Sequence, residues 1–256
     1  FLPFFHIYGM TALMNGAFTN GATQVIMPRF DTQLCLELIQ RYKVTNLFVV
    51  PPALLAMANF PEPGKFDTSS MEFIVSGAAP LPPEVAQRAQ AAYGCKILQG
   101  YGLTETSAVS NVNPLNRVKP TSVGPPIADT VEKVVSLEDD RELGPGETGE
   151  LLIHGPQIMR GYWNRPEDTA ETITQDGWLR TGDIAQFDEE GYVYIVDRKK
   201  ELIKYKGYQV PPAELEALLM EHPAVADAAV IPKPDIAGGE IPKAFVVLRP
   251  PEQATE

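Results

Sequence analysis

Between residues 31 and 98, short apolar runs alternate with segments whose apolar positions recur at helical spacing. Asp31 is placed to cap a helix running to about Lys43, with Leu34, Leu38, Ile39 and Tyr42 on one face. Leu47 to Val50 suits a buried strand. Pro51-Pro52 then opens a helix through about Asn59, since proline is tolerated in a first turn. Glu72 to Val75 reads as a second strand, Pro83 to Tyr93 as a helix ended by Gly94, and Lys96 to Leu98 as a third strand. This βαβαβ order predicts a parallel sheet. Ligands in such sheets lie beyond the carboxyl ends of the strands. Two loops rich in small residues leave there, Ser76-Gly77-Ala78-Ala79-Pro80 and the turn from Gln99 to Glu105, and they are expected side by side.

The texture changes after about Pro114. Val131 to Glu138, Glu150 to His154, Trp178 to Arg180, Ile184 to Phe187 and Tyr192 to Val196 read as short strands separated by turn residues. One helix, about Pro166 to Ile173, interrupts them. The pattern predicts a small antiparallel β-barrel or sheet. A third texture begins near Asp197: a strand from Glu201 to Lys204, a helix from Pro212 to Glu221, and strands at Ala226 to Ile231 and Ala244 to Leu248. The expected fold class is therefore α/β, with a parallel α/β subdomain over 1–118, a barrel-like subdomain over 119–196 and a compact α+β unit over 197–256.

At 256 residues the chain can bury a sizeable core. A net charge of −12 argues against a nucleic-acid surface, which needs lysine and arginine stripes. Two cysteines, Cys35 and Cys95, are too few for a disulfide framework and suit a reducing, cytoplasmic setting. The apolar stretch from Phe1 to Phe18 carries Pro3, His6, Asn15 and two glycines and has no basic flank, so no spanning segment or secretory signal is expected. The chain opens at Phe1 rather than methionine, as a segment of a longer protein would.

The richest chemistry lies in Gln99-Gly100-Tyr101-Gly102-Leu103-Thr104-Glu105-Thr106. Glycines let backbone approach a ligand closely. An aromatic ring covers a flat heterocycle. Adjacent hydroxyl and carboxylate groups suit a phosphate oxygen and a hard divalent cation. The bland alternative is a helix cap followed by an acid in its first turn.

Six blocks in order carry a resemblance: Leu2-Pro3-Phe4-Phe5-His6-Ile7-Tyr8-Gly9, Ser76 to Leu81, Gly100 to Glu105, Gly161-Tyr162-Trp163, Gly177-Trp178-Leu179-Arg180-Thr181-Gly182-Asp183, and Val196-Asp197-Arg198 through Glu216. Together they resemble the adenylate-forming superfamily of acyl-CoA synthetases, 4-coumarate–CoA ligases and beetle luciferases. That family's Ser/Thr/Gly-rich phosphate loop ending in Pro-Lys-Gly has no counterpart here. Nor does its C-terminal Gly-Lys lysine, since Lys243 lies in Ile241-Pro242-Lys243-Ala244. The chain thus resembles the second half of such an enzyme, expected to be poor or inactive alone.

The resemblance implies an ATP-dependent carboxylic acid–CoA ligase working through an acyl-adenylate, with ATP or AMP, Mg²⁺ and coenzyme A as partners. It assigns phosphate to Thr104, Mg²⁺ to Glu105, and the adenine slot to Tyr101 with Gly77, Ala78 and Ala79, flanked by Gly100 and Gly102. It assigns the ribose to Asp183 and the ribose or phosphates to Arg198. Asp197 becomes the hinge of a small C-terminal lid. Lys204 and Gln209 approach the adenylate, and Gly207 lies on the path of the CoA arm. Lys204 and Lys206 are read as sharing one face of an extended segment. His6, Tyr8, Gly9, Met10 and Val109 would line an acyl pocket suited to an aromatic or fatty acid, as in phenylpropanoid or fatty-acid metabolism. Peptide-synthetase adenylation domains have aspartate in place of His6. A luciferase-like oxygenating enzyme and a non-catalytic AMP-binding module are the alternatives.

Overall fold

The structure, a computed structural model, describes residues 1–206, 208–220, 222–235 and 239–249. A π-helical stretch, Tyr8–Asn15, runs into α1 (Gly16–Thr19). Then follow α2 (Thr32–Tyr42), β1 (Asn46–Val49), α3 (Pro51–Ala58), β2 (Phe73–Ser76), α4 (Pro83–Tyr93), β3 (Lys96–Tyr101) and β4 (Asn111–Val112). Further along are β5 (Val131–Val135), β6 (Gly149–His154), α5 (Pro166–Thr172), β7 (Leu179–Phe187) and β8 (Val193–Arg198). The chain ends with β9 (Ile203–Tyr205), β10 (Tyr208–Val210), α6 (Pro212–Met220), β11 (Val225–Asp235) and β12 (Gly239–Leu248). Three four-stranded sheets result, in the orders β1–β2–β3–β4, β5–β6–β7–β8 and β10–β9–β12–β11. The chain divides into two compact units.

The first unit comprises Phe1–Lys133, Leu152–Arg180 and Phe187–Tyr194. Its parallel ladder runs Asn46↔Phe73↔Lys96 to Val49↔Ser76↔Gln99, as the alternation of elements predicts. β4 pairs antiparallel to β3, with Tyr101 opposite Asn111. The core gathers Leu36, Ile39, Val49, Leu54, Met57, Ile74 and Ala89, all essentially out of solvent. Asp31 caps α2 as expected, its Oδ1 accepting from the Leu34 amide at 2.7 Å. The buried face of α2 is Cys35, Leu36 and Ile39, whereas Leu34 and Tyr42 are exposed. Leu38 and Ile39 of the expected face do reach the core. Gly94 ends α4 at φ +69°, as its lack of a Cβ allows.

The second unit comprises Val134–Leu151, Thr181–Gln186 and Ile195–Glu256. β11 and β12 form a long antiparallel hairpin from Val225↔Leu248 to Asp235↔Gly239, and β9 pairs with both β10 and β12. Lys206 stands in the turn after β9 at φ +48°, so the expected shared face of Lys204 and Lys206 does not exist.

Two further expectations change. The small antiparallel barrel is an open sheet, because β5 and β8 are its two edges among the described residues. Four strands enclose no interior wide enough for side chains. The two strands read at 178–180 and 184–187 are one, β7, with Gly182 accommodated inside it at φ +70°. Among the described residues no helix is long and apolar enough to cross a membrane.

Candidate functional site

Parallel pairing of β2 with β3 sends the loops after Ser76 and after Tyr101 out of the same end of the sheet. They touch. A Cβ built on Gly77 would lie 3.6 Å from the Gly100 carbonyl oxygen, and the Gln99 Oε1 accepts from the Leu81 amide at 3.3 Å. Both loops are strained: Ala78 stands at φ +70°, Ser107 at +51° and Ala108 at +93°. Such conformations in residues with a Cβ each cost on the order of 1–3 kcal/mol and persist where surrounding structure imposes them.

The turn after β3 is a single 3₁₀ turn, Thr104–Thr106. Thr106 is fully buried, and its Oγ1 both accepts from the Leu103 amide at 2.8 Å and faces the Leu103 carbonyl at 3.1 Å. The capping role that a Thr-Glu pair would ordinarily fill therefore belongs to Thr106. Thr104 is left exposed and Glu105 half-buried, neither required to close the turn. Glu105 is nevertheless fixed: its Oε1 accepts from the Tyr162 hydroxyl at 2.7 Å, and its carbonyl accepts from the Met159 amide at 2.8 Å.

The glycines divide by cause. Gly102 is a packing requirement, since a Cβ there would meet the Ala108 carbonyl oxygen at 1.9 Å and the Val109 Cα at 2.8 Å. This also places Val109 beside the loop. Gly77 lies under the Tyr8 ring, with a built Cβ 3.5 Å from its Cε1. The Tyr8 hydroxyl is 3.4 Å from the Val75 carbonyl oxygen, and burial pushes this phenol above its usual range. Tyr8 and Gly77 are thus brought together. Gly9 is buried because a Cβ would strike the Pro3 carbonyl. His6 is exposed, its Nδ1 accepting from the Tyr8 amide at 3.1 Å, and Met10 is exposed on the π-helical stretch. Tyr101 is half-buried at the end of β3, its carbonyl accepting from the Ser110 amide at 2.9 Å.

In the second unit, Asp183 is buried and its Oδ1 lies 3.3 Å from Arg198 Nε. Asp197 is buried too. Its Oδ1 accepts from the Arg198 amide at 2.6 Å and its Oδ2 from the Ala213 amide at 3.2 Å, at the start of α6. This carboxylate therefore tethers the end of β8 to a helix N-terminus, where negative charge is favoured. Lys199 Nζ reaches the buried Glu150 Oε2 at 2.8 Å. Lys204 and Gln209 stand directly opposite each other in the β9–β10 pair, both exposed. Gly207, assigned above to the CoA path, lies outside the described residues.

The profile of the AMP-binding enzyme family matches residues 1–163, and that of the AMP-binding enzyme C-terminal domain matches 214–256. The chain belongs to the AMP-binding enzyme family. It is 47% identical to the probable 4-coumarate–CoA ligase 1 of Dictyostelium discoideum, covering all of this chain and 47% of that protein. Like this relative, the other curated ones it matches are about twice its length. Among solved structures, ATP-bound MatB from Rhodopseudomonas palustris superposes with a TM-score of 0.93 at 32% identity, over 99% of this chain and 50% of that one. The o-succinylbenzoate CoA synthetase MenE from Bacillus subtilis, in complex with its acyl-adenylate OSB-AMP, superposes with a TM-score of 0.86 at 33% identity, over 98% and 51%.

The sequence assigned Tyr162 no role, and only its place in the Gly161-Tyr162-Trp163 block marked it. It also passed over Ser76, whose Oγ is buried at the root of the first loop without a hydrogen-bond partner.

Proposed function

We propose that this chain serves an ATP-dependent carboxylic acid–CoA ligation that runs through an acyl-adenylate. The observation that carries the proposal is the pair of strained loops on adjacent parallel strands, one of which leaves the Thr104 and Glu105 side chains out of the bonds that close the turn. The names of the relatives support the reaction class.

In this reading the Tyr101 ring and the backbone of Gly77, Ala78 and Ala79 receive the adenine, and Gly100 and Gly102 keep that wall free of side chains. Thr104 donates to a phosphate oxygen. Glu105 holds Mg²⁺. The donor set fits: magnesium keeps much of its water and takes one or two carboxylates together with substrate phosphates. When bound, the ion offsets the charge that builds as a carboxylate attacks the α-phosphate.

Asp183 offers two acceptor oxygens to a ribose diol, with Arg198 beside it. Lys204 and Gln209 attend the adenylate, and Gly207 the CoA arm. Asp197 is the hinge of a lid formed by 197–256, beside divisions at 1–118 and 119–196, so that one domain serves both half-reactions. The apolar character of Tyr8, Gly9, Met10 and Val109 near His6 favours an aromatic or fatty acid.

The test is pyrophosphate release by the full-length protein with a panel of aromatic and fatty acids, followed by thioester formation with CoA. Magnesium-dependent release is expected, and Glu105→Ala should lower it by on the order of 100-fold or more. Release at the wild-type rate after Glu105→Ala would refute the reading. Light emission without thioester would move the chain to an oxygenating reaction.

A further inference from the structure

Three hydrogen bonds clip the segment 157–162 to the turn that carries Glu105. Ser107 Oγ donates to the Gln157 carbonyl at 2.9 Å, the Met159 amide to the Glu105 carbonyl at 2.8 Å, and the Tyr162 hydroxyl to Glu105 Oε1 at 2.7 Å. The clip has its own anchor. The Tyr162 amide donates to Thr169 Oγ1 at 2.9 Å, and that hydroxyl donates to the Arg165 carbonyl at 2.8 Å. Gly161 stands at φ +144°, where a Cβ would lie 2.6 Å from Thr169 Cγ2, so only glycine lets the loop come this close to α5. The architecture sets one phenol against one carboxylate oxygen. It does so in a part-exposed place where the hydroxyl could as well bond water, so the contact is not forced by burial.

We infer that Tyr162 is a positioning residue for Glu105: its hydroxyl holds Oε1 so that Oε2 is presented toward the nucleotide-borne magnesium. The inference rests on the ligase reading above. A lone glutamate on an outward turn has three rotatable side-chain bonds, and locking them lowers the cost of binding the ion. Partners of this kind orient metal-binding carboxylates, and losing one costs roughly 10–100-fold in metal affinity or activity.

Two measurements test this. A difference titration of tyrosine absorbance, wild type against Tyr162→Phe, isolates the phenol, and Glu105→Gln should shift its ionisation downward. In the full-length protein, Tyr162→Phe should raise the magnesium concentration for half-maximal pyrophosphate release about 10-fold while leaving the KM for ATP at saturating magnesium near wild type. An unshifted phenol in Glu105→Gln, or an unchanged magnesium dependence in Tyr162→Phe, overturns the inference. The Glu105→Gln titration keeps Tyr162 in place and remains decisive where Tyr162→Phe unfolds. Failure of the ligase reading looks different: the wild type itself then shows no magnesium-dependent release.

Discussion

The parallel sheet of the first unit and the long hairpin of the second are built on opposite economies of burial. β2 reads as three fully buried residues out of four, and β1 to β3 pack against helices through Ile74, Val49 and Ile97. β11 and β12 form a longer ladder, with a register shift between Val225 and Asp227, yet Ile231, Phe245, Val246 and Val247 are exposed and only Val225 and Val230 are buried along β11. The buried apolar residues of the second unit, among them Val134, Leu151, Ile184, Ala185 and Ile203, lie on other strands, and polar contacts add to them: Asp197 to the Ala213 amide, Arg198 to Asp183, Lys199 to Glu150 and Glu216 Oε1 to the Val230 amide at 2.8 Å. Apolar burial is non-directional and large, so it can hold Ala78 and Ala108 in unfavourable backbone conformations. Hydrogen bonds and half-exposed ion pairs are each small net contributions and can be exchanged for others. The first region suits a rigid platform.

Core deletion should separate the two regions most sharply. Ile74→Ala is expected to cost about 3 kcal/mol of unfolding free energy, because the site is fully closed and the neighbouring strands cannot collapse into the gap. Phe245→Ala on the exposed hairpin should cost less than about 1 kcal/mol. Denaturant melts of both variants check the contrast, and equal losses would erase it.

A smaller effect concerns Glu132, in the first unit. Its Oε2 accepts from Asn111 Nδ2 at 2.9 Å, while its Oε1 is buried without a partner. Burial pushes this carboxyl up to about 7, against the usual 4.5, and the Asn111 hydrogen bond only partly opposes that. The folded chain therefore holds a proton through this window that the unfolded chain has released. The contribution of this group to stability is greatest below about 4.5 and declines as pH rises to about 7. Glu132→Gln should flatten that decline and leave the variant the more stable of the two above the window. Parallel pH profiles of unfolding for the two proteins would show it; identical slopes would count against the burial argument.

The smallest expected change is at the helix cap. Asp31→Ala removes the acceptor of the Leu34 amide and should cost about 1 kcal/mol, read as a lowered melting midpoint with unchanged fold.

Legibility followed the range of the interactions. The βαβαβ order, the cap at Asp31, the proline start of α3 and the Gly94 stop depend on residues within a few positions of each other, and all were readable. Of the face read for α2, Leu38 and Ile39 reach the core while Leu34 and Tyr42 are exposed and Cys35 and Leu36 are buried in their place. β4, only two residues long, carries too little pattern to detect and exists because β3 offers it an edge. β7 was split in two because Thr181-Gly182 has the composition of a turn, and only the sheet shows it continuing.

The amino-acid order alone determined which loops are rich in small residues, which end of the sheet they leave, and that Thr104 and Glu105 sit on one of them. Local stereochemistry and strand direction suffice for that. Tertiary structure decided that Gly77 packs under the Tyr8 ring and that a tyrosine 57 positions away holds the glutamate. Those outcomes depend on atoms meeting across the fold within a few ångströms, a distance that spacing along a chain does not encode.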